Sequence, residues 1–190
     1  TLSYLSPSID VVVEATGDPA FGAEVAYAVL QHKKHMVMLN VECDAVIGPT
    51  LLDLAKKNKV VYTGASGDEP AAIVKLFSFA KSLGFPIVAA GKGKNNPPNR
   101  YASHEDLRPR AEDSRVNVQK LTSFVDTTNT MIELNAVANA TGFVPDTLGC
   151  HGLTSDLTSL ADKFKLIEDG GEFSSHGVLD YVEGIAPGVF

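Results

Sequence analysis

The chain has 190 residues, a hydrophobic share of 44% and a formal net charge of -7. That is enough for an ordinary core in one or two domains, while the acidic balance excludes a nucleic-acid scaffold, which needs a basic face for phosphate. No apolar run approaches the ~18 residues that span a bilayer, and the lone cysteines Cys43 and Cys150 fit a reducing cytoplasm better than a disulfide framework.

Asp10 to Gly17 is a β-branched run ending in a turn, the pattern of a strand buried on both faces of a parallel sheet. Asp18 and Pro19 then form a helix start, an N-cap followed by proline at the first helical position. That helix is expected to run to about Gln31. His35 to Asn40 reads as the second strand, and His32 and His35 as ordinary loop histidines beside it. Gly48-Pro49 opens a second helix in this reading. Its Lys56-Lys57 end suits the helix dipole. Val60 to Thr63 is the third strand. Strands and helices alternating at this spacing predict right-handed βαβ units and a parallel sheet.

Asp68 or Glu69 caps a third helix from Pro70, with Ile73, Leu76, Phe77 and Ala80 at helical spacing and Gly84 at its end. Pro86 to Ala90 reads as a short buried strand. It feeds Gly91-Lys92-Gly93-Lys94-Asn95-Asn96, expected to be a loop on permissive glycines. Residues 97–120 are polar and read as a lid-like excursion. A helix through Phe124, Met131, Leu134 and Val137 closes at Gly142. Its Asn129, Asn135 and Asn139 point amides into a site or simply into water. The tail holds Gly149-Cys150-His151-Gly152, a charged helical stretch around 155–168, and a strand at Asp180-Tyr181-Val182. His151 is a weak candidate ligand.

Ligands of open parallel sheets bind beyond the carboxyl ends of the strands. Those ends carry Thr16-Gly17-Asp18, Asn40-Val41-Glu42, Ser66-Gly67-Asp68-Glu69 and the Lys92/Lys94 segment, and are expected on one side of one sheet. Lysines opposite carboxylates suit proton transfer to and from a carbonyl or alcohol. They suit equally the gripping of a phosphate or carboxylate.

Several of these segments are similar to a known superfamily. Val11 to Gly17, Met38 to Glu42 and the helix into Val61-Tyr62 resemble the second half of the nucleotide-binding domain of homoserine dehydrogenase-like oxidoreductases. Gly67-Asp68-Glu69-Pro70, Ala90 to Pro97, Thr122 to Asp126, Ala136 to Gly142 and Gly184 to Phe190 resemble its branch of deoxyxylulose-phosphate reductoisomerase-like proteins.

The resemblance implies an NAD(P)-dependent oxidoreductase of α/β class. Residues 1–66 would be the second half of a Rossmann-type parallel sheet and residues 67–190 an α/β catalytic domain. Thr16, Gly17, Asn40 and Glu42 would lie along the cofactor cleft. Lys92, Lys94, Asp68 and Glu69 would carry the chemistry, with Asn95 and Asn96 on the substrate. Coupled isomerisation and reduction would place a divalent metal on Asp68 and Glu69, although no ligand spacing compels one. Homoserine dehydrogenases carry Asn-Lys where this chain has Asn40-Val41, so the lysine role passes to Lys92 or Lys94 and homoserine is not the expected substrate. No Gly-x-Gly-x-x-Gly follows an early strand. The chain opens on Thr1 and reads as a piece of a longer protein whose fingerprint precedes it, and alone it is expected to bind dinucleotide poorly. The expected partners are a small anionic oxo or hydroxy compound and further copies of the chain, with neither nucleic acid nor membrane. The alternative is a non-catalytic metabolite-binding domain that uses the same lysines.

Overall fold

The computed structural model describes residues 3–185 and 188–190. Ala186 and Pro187 of the terminal Gly184–Phe190 motif lie outside the described residues. The chain divides into two compact units. The first comprises residues 1–68 and 103–122, the second residues 69–102 and 123–190.

In the first unit, strands β1 (Val11–Glu14), β2 (His35–Met38) and β3 (Tyr62–Gly64) form a parallel sheet in the order β1-β2-β3. Helices α1 (Pro19–Gln31) and α2 (Val41–Asn58) are the crossovers. Consecutive strand order with right-handed connections puts both helices on the same face. Val12, Met36 and Met38 accordingly share one core with Val25, Val29, Leu30, Leu51 and Ala55. The other face is open: Val11 and Val13 are 50% and 58% exposed. β1 is therefore buried on one face, not on two as its unbroken apolar run implied. His35 is a strand residue whose Nδ1 accepts the Val61 N–H at 2.9 Å.

Asp18 caps α1 as the sequence predicts, its Oδ1 accepting from Ala20 N and Phe21 N. α2 begins seven residues before Gly48-Pro49. Asn40 is its cap, with Oδ1 accepting from Cys43 N at 3.1 Å and Nδ2 donating to the Asp18 carbonyl at 2.9 Å. Glu42 and Asp44 in the first turn face the positive end of the dipole. A good cap outweighs the local cost of Pro49 in the helix. The polar stretch expected as a lid contains α4 (His104–Ser114), started by a reciprocal Ser103–Asp106 capping box. Ala111 within that stretch is buried.

In the second unit, β4 (Ala89–Lys94), β5 (Leu153–Thr154) and β6 (Val178–Glu183) form a separate parallel sheet in the order β4-β6-β5. β4 therefore does not extend the first sheet, and the expectation of four strand ends along one sheet edge fails. β4 also starts three residues later than predicted and takes in both lysines. α3 (Glu69–Ser82) and α6 (Thr128–Thr141) cover one face through Ile73, Ala90, Val137 and Leu179. α5 (Val118–Val125) is separate from α6, because Thr127 with φ 76 breaks the helical path. The helical stretch expected at 155–168 shrinks to α7 (Leu160–Lys163) and one 3-10 turn at Ile167–Asp169.

The far edge of β4 is paired antiparallel by the chain end, with Gly91 N donating to Phe190 O at 3.0 Å and Phe190 N to Gly91 O at 2.9 Å. On this face the Phe190 ring meets Phe164 edge-on at 4.8 Å, and Phe164 meets Phe173 at 4.9 Å. A Cβ on Gly91 would collide with the Asp180 carbonyl oxygen and stand 2.7 Å from Phe190 Cζ. The carbonyl is backbone and cannot rotate away. Gly91→Ala should lower the unfolding free energy by at least ~1–3 kcal/mol, the scale of core overpacking. Urea unfolding of the two proteins measures it, and equal midpoints would contradict this packing.

Candidate active site

Side chains alternate across a strand, so Lys92 and Lys94 share the face of β4 covered by α3 and α6, and Gly91 and Gly93 take the other. Both lysines are buried. Such a position requires a partner for each ammonium group. Lys92 Nζ donates to Glu133 Oε2 of α6 and lies 3.2 Å from Glu69 Oε1 at the start of α3. Lys94 Nζ donates to the Phe124 carbonyl. Burial holds Lys94 below the ordinary lysine range. The neighbouring Lys92 charge adds to this, against the opposing pull of Glu183, Asp126 and Glu133. In the parallel register Tyr181 stands beside Lys92 and Glu183 beside Lys94. The site thus offers a lysine fixed between two carboxylates and, on the same face, a second lysine whose proton is loosened.

Of the residues singled out in the sequence, the structure brings Lys92, Lys94 and Glu69 together within the second unit. Asn95 is exposed and Asn96 half-buried, just past the end of β4. Asp68 is the last residue of the first unit. Glu133 was missed. Its signal was present: Thr130, Glu133 and Val137 fall on one stripe of α6, and all are buried. An acid in a buried stripe requires a cation. The asparagines drew attention instead, yet Asn135 donates to its own helix at Met131 O and Asn139 is exposed.

His151 engages Asp180, also overlooked. The fully buried Asp180 carboxylate accepts from the N–H groups of His151 at 3.1 Å, Gly152 at 3.0 Å and Tyr181 at 2.8 Å, and lies 2.8 Å from His151 Nδ1. Asp180 pairs with Gly91 in register, so this cluster occupies the opposite face of the sheet from the lysines. It fastens the Gly149–Gly152 segment to β6.

At the sheet end of the first unit, Gly17 has φ 73 and Lys120 Cδ packs 3.0 Å from where its Cβ would stand. Thr16 donates its N–H to Glu14 Oε1 at 2.8 Å, and its hydroxyl bonds the same oxygen. Glu42 lies in the first turn of α2. The Asn40 side chain is consumed by its two caps, so it has backbone rather than amide groups to offer a cofactor. Glu14 Oε2 is buried with no hydrogen-bond partner among the described residues. Thr16 spends its N–H and hydroxyl on Glu14, so the Gly17 backbone and the neighbouring Lys120 are the groups of this turn that could face a phosphate. Cys43 and Cys150 are free and buried, and burial pushes their thiols up to about 11 and about 12.

A parallel sheet with two crossover helices and a unit with a lysine buried between two carboxylates make this an α/β protein with a candidate proton-transfer site. Residues 67–190 match the family described as Oxidoreductase DRL, catalytic domain, and the chain belongs to that family. Residues 2–63 match Homoserine dehydrogenase, NAD binding domain. The two matches agree with the resemblance carried by the motifs, and they make the chain part of an NAD(P)-dependent oxidoreductase with a Rossmann-type first unit. No curated protein matches the chain. Among the described residues no helix is long and apolar enough to cross a membrane.

The lowered Lys94 value has a consequence for stability. Between that folded value and the unfolded value of 10.5 the unfolded chain binds more protons, so unfolding free energy rises with pH across this interval. Lys94→Met should flatten that rise. Urea unfolding in steps from neutrality towards 10.5 tests it, and equal slopes in both proteins would refute the lowered value.

Proposed function

We propose that the protein reduces a small oxo compound to its hydroxy form, or runs the reverse oxidation, with Lys94 moving the proton. The observation that carries this is the pair of buried lysines on one face of β4, one of them held between Glu133 and Glu69. A bound NAD(P)H supplies the hydride. As the hydride adds to the carbonyl carbon, the C=O π pair moves to oxygen and takes a proton from the Lys94 ammonium group. The neutral amine is reprotonated from solvent. A general acid works best with a pKa near the working pH, and Lys94 is moved in that direction by burial and by Lys92. Lys92 keeps its own charge partners and supplies the like charge. Glu69 and Glu133 orient it.

Isomerisation before reduction is the second reading. Glu69 and Glu133 each offer a carboxylate oxygen, within 4.8 Å of one another, the donor type that a hard divalent cation takes. Lys92 Nζ holds one oxygen of each carboxylate, so a metal there would compete with its ammonium group, which weighs toward plain reduction. The cofactor-binding role of Thr16, Gly17 and Glu42, and a substrate role for Asn95 and Asn96, belong to the same proposal. A non-catalytic metabolite-binding role is the competing class, and the oxidoreductase family matches speak against it.

The test is NAD(P)H oxidation by the natural gene product against a panel of small phosphorylated and carboxylated oxo compounds. Lys94→Met should lower kcat by about 10²-fold or more, the usual scale of general acid catalysis. Lys92→Met should move the alkaline limb of the pH profile upward, because the charge that lowers Lys94 is gone. Turnover unaltered by both substitutions would overturn the assignment.

A further inference from the structure

Glu14, the last residue of β1, has no part in proton transfer by Lys94. It is only 2% exposed, and its carboxylate is seated from two sides. Oε1 accepts from Thr16 N–H at 2.8 Å and from the Thr16 hydroxyl. The rest of the carboxylate lies against the first turn of α1. A Cβ on Gly22 would stand 2.9 Å from Oε2, 3.2 Å from Cδ and 2.8 Å from Asn40 Nδ2. Asn40 Nδ2 is itself tied to the Asp18 carbonyl at 2.9 Å, and the same carbonyl accepts from Gly22 N at 2.8 Å. Glu14 is thus fixed between the start of α1 and the cap of α2.

That seat is costly. Oε2 is buried without a hydrogen-bond partner among the described residues, and a buried oxygen that lacks a donor lowers stability. An apolar side chain of similar length would avoid the loss. Thr16 is exposed, so its N–H and hydroxyl would turn to water instead. Stability therefore does not account for the carboxylate, and the turn that it shapes does. Both Thr16 donors are drawn to Oε1, and the Thr16 hydroxyl in turn accepts from Asp18 N at 3.4 Å. Between them Gly17 is set in the left-handed region at φ 73, with Lys120 Cδ 3.0 Å from the place of its absent Cβ. The Gly17 N–H makes no hydrogen bond among the described residues. A free N–H in such a turn, with an ammonium side chain beside it, suits an anionic ligand.

We infer that Glu14 is a positioning residue for the cofactor: it touches no ligand and holds the Thr16-Gly17 turn so that Gly17 N–H and Lys120 are presented to a bound NAD(P)H. The inference rests on the reading of this turn as part of the cofactor site and names what fixes it. The chain accepts an unpaired buried oxygen at Glu14 in exchange for a turn of one shape.

NADPH and NADH are titrated into the natural gene product by fluorescence, and thermal unfolding is followed without nucleotide. Glu14→Met should weaken the nucleotide that the wild type binds by about tenfold, the scale of one hydrogen bond to a charged group. Its unfolding temperature should stay at or above that of the wild type, because the unpaired oxygen is gone. Glu14→Gln keeps an accepting oxygen for Thr16 and should restore wild-type binding. Gly22→Ala favours the helix but drives a Cβ against the carboxylate, and should weaken binding as Glu14→Met does. Wild-type affinity in Glu14→Met, or a joint loss of affinity and unfolding temperature, overturns the inference and leaves Glu14 a structural residue. Equal losses in Glu14→Gln and Glu14→Met overturn it in favour of the charge alone. A wild type that binds neither nucleotide overturns the cofactor reading itself, so the two failures are told apart.

Discussion

Two ammonium groups inside one strand are the constraint on which the second unit depends. β4 is built as Ala-Ala-Gly-Lys-Gly-Lys, so its two faces have opposite characters. The glycine face is thin enough for the Phe190 ring to lie over Gly91, while the chain end itself pairs along the edge of β4. The lysine face is charged and still covered by helices. Covering it is tolerable only because α3 and α6 each bring a glutamate to Lys92. Removing one partner from such a group leaves a buried charge uncompensated, a loss of roughly 3–5 kcal/mol. The helices are therefore packed on β4 by apolar contacts near Ala90 and fixed in register by charge near Lys92.

Function follows from how unequally the two lysines are served. Lys92 has carboxylates and Lys94 has a backbone carbonyl. A carbonyl accepts a hydrogen bond but does not neutralise a charge. Burial and the adjacent Lys92 then act together on Lys94, and the carboxylates farther along oppose them. The same strand pair sets Tyr181 beside Lys92.

Much of the first unit was legible because short-range rules decide it. Asp18-Pro19 marks the start of α1, and the spacing of apolar runs gives the parallel order. The displaced start of α2 shows the limit of such rules: Pro49 was read as an opening, while Asn40, with side-chain bonds both to Cys43 and to Asp18 across 22 positions, is the true cap. The one-sided burial of β1 was hidden by Val11-Val12-Val13, which reads alike whether one face is covered or two. In the second unit the lysines, Glu69 and the tail strand were legible, but the strand state of Gly91–Lys94 was not. Glycine and lysine are poor strand formers. Pairing with β6 and with the chain end, each some 90 positions away, overrides that preference. Asp180 was illegible as a site residue for the same reason, since its His151 and Gly152 partners lie far off in sequence, whereas Glu133 was marked by its place in the buried stripe of α6 and was passed over.

The account stands on Lys94 being a lysine with a loosened proton, and an NMR titration of its side-chain 13Cε resonance measures that directly. In the folded protein Lys94 should titrate below 10.5, and the Lys92→Met substitution should move its midpoint upward by removing a like charge and freeing Glu133. A midpoint at or above 10.5 in the wild type would contradict the account and leave the lysines as structural counter-ions.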